Sequence, residues 1–599
     1  MPTLRRAVVA LTLSLALSLP WAALPARADG TAQILGPATK ASGPGRAGSL
    51  AVGKASYAVP KKAIFVSPKG SDKNPGTRAK PVKTIQRGVK LAPVGGTVVV
   101  RKGVYRETVT LSKKVTLQNY PKEAVWLDGS KKVTGWVADG KVWRKNGWKT
   151  RFDSSPTFTK GAPDNTASGW RFVNTKNPMA AHPDQVFVDG KPLKQVKSKK
   201  LVKKGTFYLD KKTSKLYIGT NPKGKTVEAS TRVKALKVQA AKSVVRGIGV
   251  RRFSPSIFHM GAVTVERPGV KLENVTVIDS ATIGISVLRE KVTLNRVTVQ
   301  RAGLLGIHGR FADGIVLKRV LATKNNSERF NIAPTAGGAK LSHTRGVTVS
   351  ESRFSENYGH GFWEDQSVYD SILRQSDFSR NSGSGLFLEI SAKAVVGDNT
   401  FADNKAFGIK VNNTSDVKIW NNTFVGNSRP LNLVQDPRRN TDRNDPAVDS
   451  RQAWPDRTMP WTLGPVQVRN NVIADPASAA TCLLCVEDYS WSKSAEQMKI
   501  TADSNVYGGK KAKKARWAVV WSRANVNRDP HVFMTLKAFT KKTKQEKKGI
   551  DRIGKAVVDK NLDLVKAVDA KSDTVAKPLP AEVAKAIGRP AGATELGRW

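Results

Sequence analysis

The sequence has 599 residues, and its 101 lysines and arginines outnumber 47 aspartates and glutamates, which gives a formal net charge of +54. Such a charge attracts polyanions, but the absence of a nucleic-acid-binding motif argues against nucleic acid as the partner. We expect an acidic polysaccharide or an anionic cell envelope instead, unless the charge serves solubility alone. Cys482 and Cys485 are the only cysteines, and no nearby histidine completes a tetrahedral ligand set, so a structural zinc site is excluded.

Residues 1–28 have the pattern of a secretory signal peptide. Arg5 and Arg6 precede the apolar run AVVALTLSLALSLPWAAL, and a small-x-small cleavage pattern, Ala26-Arg27-Ala28, follows it. A retained membrane anchor is the alternative, but the run is short and no second apolar span follows. We therefore expect a secreted, monomeric protein.

Export has a consequence for the two cysteines and for the segment after the signal. In an oxidising compartment a local disulfide between Cys482 and Cys485 is expected, with two free thiols as the alternative. Residues 29–60 are rich in Ala, Gly, Pro and Ser and show no periodicity. They are predicted to form a flexible linker.

Residues 61–130 are predicted to hold an N-terminal cap and the first coils of a β-solenoid. A strand and a Gly/Pro loop precede a short amphipathic helix, Thr84–Ala92, and further strands follow it. In order and spacing, residues 65–121 resemble the opening segment of many secreted β-helix proteins. This resemblance implies a fold and carries no activity.

Residues 131–230 interrupt the coil pattern and are predicted to form an inserted β-rich subdomain. Two hairpins are expected, one around Asp189-Gly190 and one around the Lys211–Ser214 turn. Four tryptophans of this segment have two readings, core packing or a sugar-stacking platform. They are Trp136, Trp143, Trp148 and Trp170.

Residues 231–475 are predicted to form the main repeat array, whose clearest copies start at Val347, Ser371, Ala394 and Val417. Copies of similar sequence that start 24, 23 and 23 residues apart indicate stacked repeats. The copies align three columns of equivalent residues, a phenylalanine, an asparagine and a glycine column. These are Phe354, Phe378, Phe401 and Phe424; Asn357, Asn381, Asn404 and Asn427; and Gly361, Gly385 and Gly408.

Within each copy the apolar residues alternate with the period of a strand. Equivalent strands of successive copies must pair in parallel to bury their apolar side. The predicted fold class is therefore all-β, a right-handed parallel β-helix with a capping helix and an inserted subdomain. A leucine-rich-repeat horseshoe is the alternative, but its leucine framework is missing.

A long loop, Asp436–Leu463, breaks the array. Its many aspartates allow a calcium site, although their spacing fits no known cage and an ordinary solvated loop is the other reading. Residues 476–599 are predicted to form a C-terminal region that packs back on the β-helix, with short helices near Met534–Thr540 and Ala581–Ile587.

The strands that follow the glycine column supply the candidate site, because they project two columns of side chains outward. The alignment holds only if NSERFNIAPTAG contains a nine-residue insertion. The first column reads Ser286, His308, Lys340, Trp363, Phe387 and Lys410. The second reads Leu288, Arg310, Ser342, Asp365, Glu389 and Asn412.

Asp365 and Glu389 should lie side by side on neighbouring strands, about 5 Å apart. Two adjacent carboxylates destabilise a fold unless something uses them. With Lys340 and Arg310 on preceding strands they are the candidate catalytic residues; His308, Trp363, Phe387 and Lys410 are the candidate substrate-binding residues. A salt-bridged, solvated sheet face is the structural alternative.

Trp363, Asp365 and Glu389, in GFWED and GLFLEIS, resemble the Trp-x-Asp and next-coil Glu of β-helical β-xylosidases among the glycoside hydrolases. This resemblance to pectin-lyase-like, carbohydrate-active proteins implies Asp365 as nucleophile and Glu389 as acid/base, and the close spacing suits a retaining hydrolase. Glu364 departs from the pattern, because it occupies a position expected to be inward and apolar. The strand is therefore expected either to bulge there or to lose the family's register.

Two other functions stay open. Polysaccharide lyases of the chondroitinase B and alginate lyase kind would use Lys340 as base, Arg310 as its partner and Asp365 with Glu389 as calcium ligands. The net charge favours such an acidic substrate, while the lyase signature around Lys340 is missing. Apart from that calcium, no cofactor or metal is expected. The third function is non-catalytic binding to a polyanion or the cell envelope.

Overall fold

The computed structural model describes residues 47–164, 168–477, 481–510, 515–524 and 530–598. The predicted signal peptide, residues 1–28, lies outside these ranges. Among the described residues, no helix is both long and apolar enough to cross a bilayer.

Three long sheets wind the chain into a parallel β-helix, which confirms the predicted fold class and excludes the horseshoe. Sheet 1 has thirteen strands. They are Ile64–Val66, Thr97–Val100, Thr116–Asn119, Val244–Arg246, Lys271–Glu273, Thr293–Asn295, Val316–Lys318, Arg345–Ser350, Tyr369–Arg374, Ala392–Gly397, Ser415–Trp420, Val466–Arg469 and Ile500–Asp503.

Sheet 2 carries the candidate site and also has thirteen strands, all parallel except the last. They are Val109–Leu111, Leu236–Val238, Gly261–Val265, Ile283–Val287, Leu305–Arg310, Gly337–Ser342, His360–Asp365, Leu386–Glu389, Phe407–Asn412, Arg429–Gln435, Cys482–Asp488, Trp517–Trp521 and His531–Phe533.

Sheet 3 is split into seven and five strands, which bridges at Asp377 connect. The seven are Gly103–Tyr105, Val125–Asp128, Gly249–Arg251, Thr276–Ile278, Thr298–Gln300, Leu321–Thr323 and Arg353–Ser355. The five are Thr400–Ala402, Thr423–Val425, Val472–Ala474, Val506–Lys510 and Ile550–Gly554.

The interior is built from repeated columns, as the sequence predicts. Phe354, Phe378, Phe401 and Phe424 are fully buried and stack with ring centroids 5.5, 5.3 and 4.9 Å apart. The asparagine column forms a ladder in which each side-chain amide donates to the next, from Asn325 through Asn427. A second ladder, Asn399, Asn422, Asn471 and Asn505, was not predicted.

Helices close the ends and coat the sides of the solenoid. The capping helix is Ile85–Leu91, with Thr84 as its N-cap and Ala92 as its C-cap. The others are Leu536–Thr543, Lys566–Asp569, Ser572–Val575 and Ala581–Ile587, and two 3-10 turns span Ser168–Trp170 and Lys199–Leu201. Ala581–Ile587 packs on sheet 1 beside Trp420.

The inserted segment forms two antiparallel-rich sheets of its own. One contains Lys191–Pro192, Val186–Val188, Val227–Ser230 and Ser130–Lys132; the other contains Lys194–Gln195, Thr206–Asp210, Lys215–Ile218, Val142–Lys145 and Val137–Asp139. Trp148 is buried in their shared core, with Trp136 and Trp143 packed against it. Trp170 is 47% exposed, so three of the four tryptophans serve packing.

Two segments differ from the prediction. Residues 47–60 are not a flexible linker: they lie along the coils, where Ser49 bonds to Thr276 and Thr298 and Tyr57 bonds to Asn274. Beyond residue 475 the coils continue as far as Ile550–Gly554, so only the last part of the C-terminal region folds back. The local amino-acid composition indicates neither the contacts of residues 47–60 with the coils nor the coils beyond residue 475.

Candidate active site

The outer face of sheet 2 holds the two predicted columns in register. The first pairs His308 with Lys340, Lys340 with Trp363, Trp363 with Phe387, and Phe387 with Lys410. In the second, Arg310, Ser342 and Asp365 are paired in order, and Glu389 pairs with Asn412. The pairing of Trp363 with Phe387 therefore places Asp365 beside Glu389.

The middle of the first column is a continuous stack. The Lys340 ammonium lies 3.5 Å from the centroid of the Trp363 ring, that ring stacks on Phe387 at 5.2 Å, and Lys410 lies 4.7 Å beyond. Because each ring face touches another ring or a cation, the edges are what the rings present outward. Trp363 and Phe387, two of the candidate substrate-binding residues, therefore offer a substrate their ring edges rather than open faces.

The two carboxylates have different partners. Asp365 Oδ2 lies 2.8 Å from Lys340 Nζ, which also donates to the carbonyl of Pro334 at 2.9 Å. Glu389 accepts from Trp363 Nε1 at 3.1 Å and from Arg438 Nη2 at 2.8 Å. One carboxylate is therefore tied to a lysine and the other to an indole and a guanidinium.

These surroundings raise the pKa of Glu389. Burial has the largest effect, Arg438 opposes it, and the negative charge of Asp365 raises the pKa further. A carboxyl group of raised pKa beside an ion-paired carboxylate is the usual arrangement of a general acid and its partner.

Arg438 belongs to the 436–463 loop and fixes its start. It pairs with Asp436 at 2.7 Å, and Asp436 accepts from Asn412 at 2.9 Å. Although burial opposes ionisation of Asp436, its bonds with Arg438 lower the pKa. Sequence reasoning missed both residues, because they reach the site from a loop outside the repeat frame.

We name this group of side chains the cleft, and it contains as many basic as acidic side chains. Lys340, Lys410 and Arg438 face Asp365, Glu389 and Asp436. Burial lowers the pKa of His308 to about 4 and that of His360 to about 3, with nearby lysines adding to the effect, so both are uncharged at neutral pH. The excess positive charge of the chain therefore lies elsewhere.

The predicted strip is buried rather than exposed. Asp365 and Glu389 are each 7% exposed, and Trp363 is 3% exposed. The carbonyl of Pro334 reaches over it from one side and Arg438 from the other. Inserted loops thus cover part of this sheet face.

Arg310 does not join the group. Its side chain is exposed and its guanidinium lies over the ring of Phe311, with Asp449 and Arg451 nearby. His308 stands at the other end of the column, where the ring of Phe158 from the insertion lies 5.6 Å away. The structure therefore assigns Arg310 no contact with Lys340 or Asp365.

His360 is a further, half-buried residue of the site that was not predicted. Its ring lies 5.0 Å from Trp363 and 5.2 Å from Phe387, and Nδ1 accepts from the backbone N–H of Ser384. His360 directly precedes Gly361 of the glycine column, and this position in the repeat could have identified it as a residue of the site.

Glu364 points into the β-helix without disturbing the register, so neither the predicted bulge nor the loss of register occurs. It pairs with Leu341 on one side and Leu388 on the other and is 1% exposed. Burial raises its pKa to about 8, partly offset by a hydrogen bond from Ser371. The side chain is a neutral acid in an apolar interior.

No cluster of three or more His, Cys, Asp or Glu side chains suited to a metal occurs within the described ranges. In the 436–463 loop, Asp449 pairs with Arg451 and Asp456 with Arg345. Both aspartates are therefore engaged by arginines, which favours the second reading, an ordinary loop, over a calcium site. Cys482 and Cys485 form a disulfide, within a strand of sheet 2.

Comparisons with known proteins agree with this architecture. A family model described as a right handed beta helix region matches residues 261–428. The uncharacterized protein YwoF of Bacillus subtilis (strain 168) is 40% identical over 72 residues, which span 11% of this chain and 15% of that protein.

Among solved structures, XylC in complex with xylose aligns with a TM-score of 0.54 at 15% identity, covering 76% of this chain and 86% of XylC. Pectate lyase Pel9A aligns with a TM-score of 0.36 at 13% identity, covering 75% and 80%. The predicted resemblance is confirmed at the level of fold: the chain is a right-handed parallel β-helix.

Proposed function

We propose that the protein is a retaining glycoside hydrolase. The observation that carries this proposal is the pair of adjacent carboxylates in unlike environments, Asp365 bound to Lys340 and Glu389 buried with a raised pKa. Neighbouring strands lie about 4.8 Å apart, and retaining enzymes hold their two carboxyl groups about 5 to 5.5 Å apart.

In this mechanism Glu389 donates its proton to the oxygen of the leaving group while Asp365 attacks the anomeric carbon. Lys340 holds the Asp365 carboxylate in place through their ion pair, and Trp363 orients the Glu389 carboxyl through its indole N–H. Once the leaving group has departed, water attacks the anomeric carbon of the glycosyl–Asp365 intermediate and gives its proton to Glu389. The bond between the sugar and Asp365 breaks in this step, which restores the Asp365 carboxylate and the protonated Glu389.

Lys340 and Arg438 are already ion-paired within the cleft, which favours a sugar without charge at the reacting position. XylC was solved with xylose, so xylose-containing oligosaccharides are the first substrates to test. We also propose that the protein acts outside the cytoplasm, which the pattern of residues 1–28 and the Cys482–Cys485 disulfide support.

A lyase is the second candidate, because burial lowers the pKa of Lys410 beside Glu389. A base must be neutral to accept a proton, and a lowered pKa favours that form. Lys340, the base predicted from sequence, is a weaker choice, since its ammonium is held by a carboxylate, a carbonyl and a ring.

The deciding experiment follows products and variants together. Neutral and uronate-containing polysaccharides are incubated with the protein, with and without a chelator, while new reducing ends and the absorbance of an unsaturated uronate are recorded. A hydrolase yields reducing ends alone, in the starting anomeric configuration; a calcium-assisted lyase yields the chromophore and stops with the chelator.

Variants then assign the roles. With an aryl glycoside whose leaving group needs no protonation, Glu389→Gln should still release one equivalent of aryl alcohol, whereas Asp365→Asn should release none. Asp370→Asn, an exposed carboxylate on sheet 1, is the matched control and should retain full activity. Normal turnover by Asp365→Asn would refute the assignment.

A further inference from the structure

The inserted subdomain concentrates lysine on one stretch of chain. Residues 191–225 contain twelve lysines, a single acidic residue, Asp210, and no arginine. We name these side chains the lysine surface; ten of them are exposed, and Lys211 and Lys215 are half-buried. They are Lys191, Lys194, Lys197, Lys199, Lys200, Lys203, Lys204, Lys211, Lys212, Lys215, Lys223 and Lys225.

The fold places several of these lysines around one sheet, while Lys191 lies on a strand of the other. Strands Lys194–Gln195 and Thr206–Asp210 pair in parallel, so the loop between them must cross from one end of the sheet to the other. Lys199 of this loop lies 5.2 Å from the ring centroid of Tyr217 and 2.9 Å from Asp139. The loop therefore covers the outward face, opposite the buried core.

Few of these charges are neutralised within the described residues. Asp139 pairs with Lys199 and Asp189 pairs with Lys225, both at partly exposed positions. Asp210 instead accepts from Thr213 of its own turn. The lysines that remain without an acidic partner repel one another, and this repulsion opposes compaction. A surface of this kind is therefore stabilised by a partner that supplies negative charge.

Lysine rather than arginine indicates the kind of partner. Its ammonium is a mobile point charge on a flexible stem, whereas arginine reads individual carboxylates or phosphates in a fixed geometry. Twelve lysines without an arginine therefore suit a polymer with regularly spaced charges, bound by summed attraction.

The position of the insertion connects this surface with the cleft. Phe158 of the insertion lies against His308 of the outward column, and the backbone of Phe172 bonds to Asn331. The insertion that carries the lysine surface thus packs against coils that carry the outward column.

We propose that the lysine surface is a docking site for a carboxylated polysaccharide, distinct from the catalytic cleft. The choice of a polysaccharide rests on the proposed function, while the binding of a polyanion does not. The protein would then be retained on an acidic matrix while the cleft acts on a neutral glycan.

The test measures binding of the full chain to polygalacturonate at rising salt. Replacement of Lys199, Lys200, Lys203 and Lys204 by serine should weaken binding roughly tenfold or more at low salt and flatten its salt dependence. The matched control replaces four exposed lysines of the C-terminal region, Lys537, Lys541, Lys542 and Lys547, and should bind nearly as wild type.

Four results decide whether the lysine surface docks a polysaccharide. Equal losses in both quadruple variants would show that net charge alone drives binding, which overturns the proposal; tighter binding of duplex DNA than of polygalacturonate would overturn the choice of a polysaccharide. Asp365→Asn should bind polygalacturonate as wild type does, and the lysine variant should hydrolyse a small soluble substrate normally. Loss of turnover and loss of docking are then separate results.

Discussion

Glu364 offers a quantitative test of the register, because a carboxyl group inside a β-helix must be neutral. Its pKa is raised by burial from the ordinary 4.5 to about 8. The unfolded chain carries the ionised form at neutral pH, so folding takes up a proton. At pH 7 this proton uptake lowers the free energy of unfolding by about 3 kcal/mol, because pH 7 lies about 2.5 units above the ordinary pKa and each unit corresponds to about 1.4 kcal/mol.

Linkage between proton binding and folding determines how stability changes with pH. Since the folded pKa is the higher one, the native state binds the extra proton between pH 4.5 and 8, and stability falls as pH rises through that window. Glu364→Gln removes the titration while keeping the shape. The variant should match wild type near pH 4.5 and exceed it by about 4 kcal/mol at pH 8.

Urea unfolding of both proteins across this pH range measures the difference directly. Glu356→Gln, a substitution at a partly exposed glutamate near the same coil, controls for the loss of a carboxylate and should show no such trend. Parallel stability curves for wild type and Glu364→Gln would refute an inward, neutral Glu364 and the register built on it.

Three further predictions concern the interior and the cleft. Phe378→Ala should lower the free energy of unfolding by about 3 to 5 kcal/mol, measured by urea, because the ring is fully buried between two others; a negligible loss would contradict the stack. Asn404→Ala should cost about 1 to 3 kcal/mol by the same assay, because it leaves the Asn381 backbone N–H unpaired. Arg438→Met should move the alkaline limb of the pH–rate profile upward, because Arg438 lowers the pKa of Glu389; a downward shift would contradict this pairing.

The repeats made the fold and the outward columns predictable. A period near 23 residues ties each position to its equivalent one coil away, so Lys340, Trp363 and Phe387 could be aligned without coordinates. The alignment even tolerated an insertion before Lys340, because the glycine column resumes after it.

Features that depend on packing rather than on period were not predictable. The alignment shows that Trp363 points outward but not that Lys340 and Phe387 occupy its two faces. Arg310 shares the column of Asp365, yet its long side chain turns toward Phe311. Residues such as Arg438 enter from a loop, where no repeat relates sequence position to place.

Residues 47–60 change how the solenoid can unfold. A repeat array interacts mainly with its nearest neighbours, so its ends can open coil by coil. Here Gly48 bonds to Arg319, whereas Ala55 bonds to Asn119 near the capped end. A group fused ahead of Gly48 would thus emerge halfway along the side of the solenoid. The N-terminal coils could not unfold one at a time, because residues 47–60 connect them to the middle of the molecule.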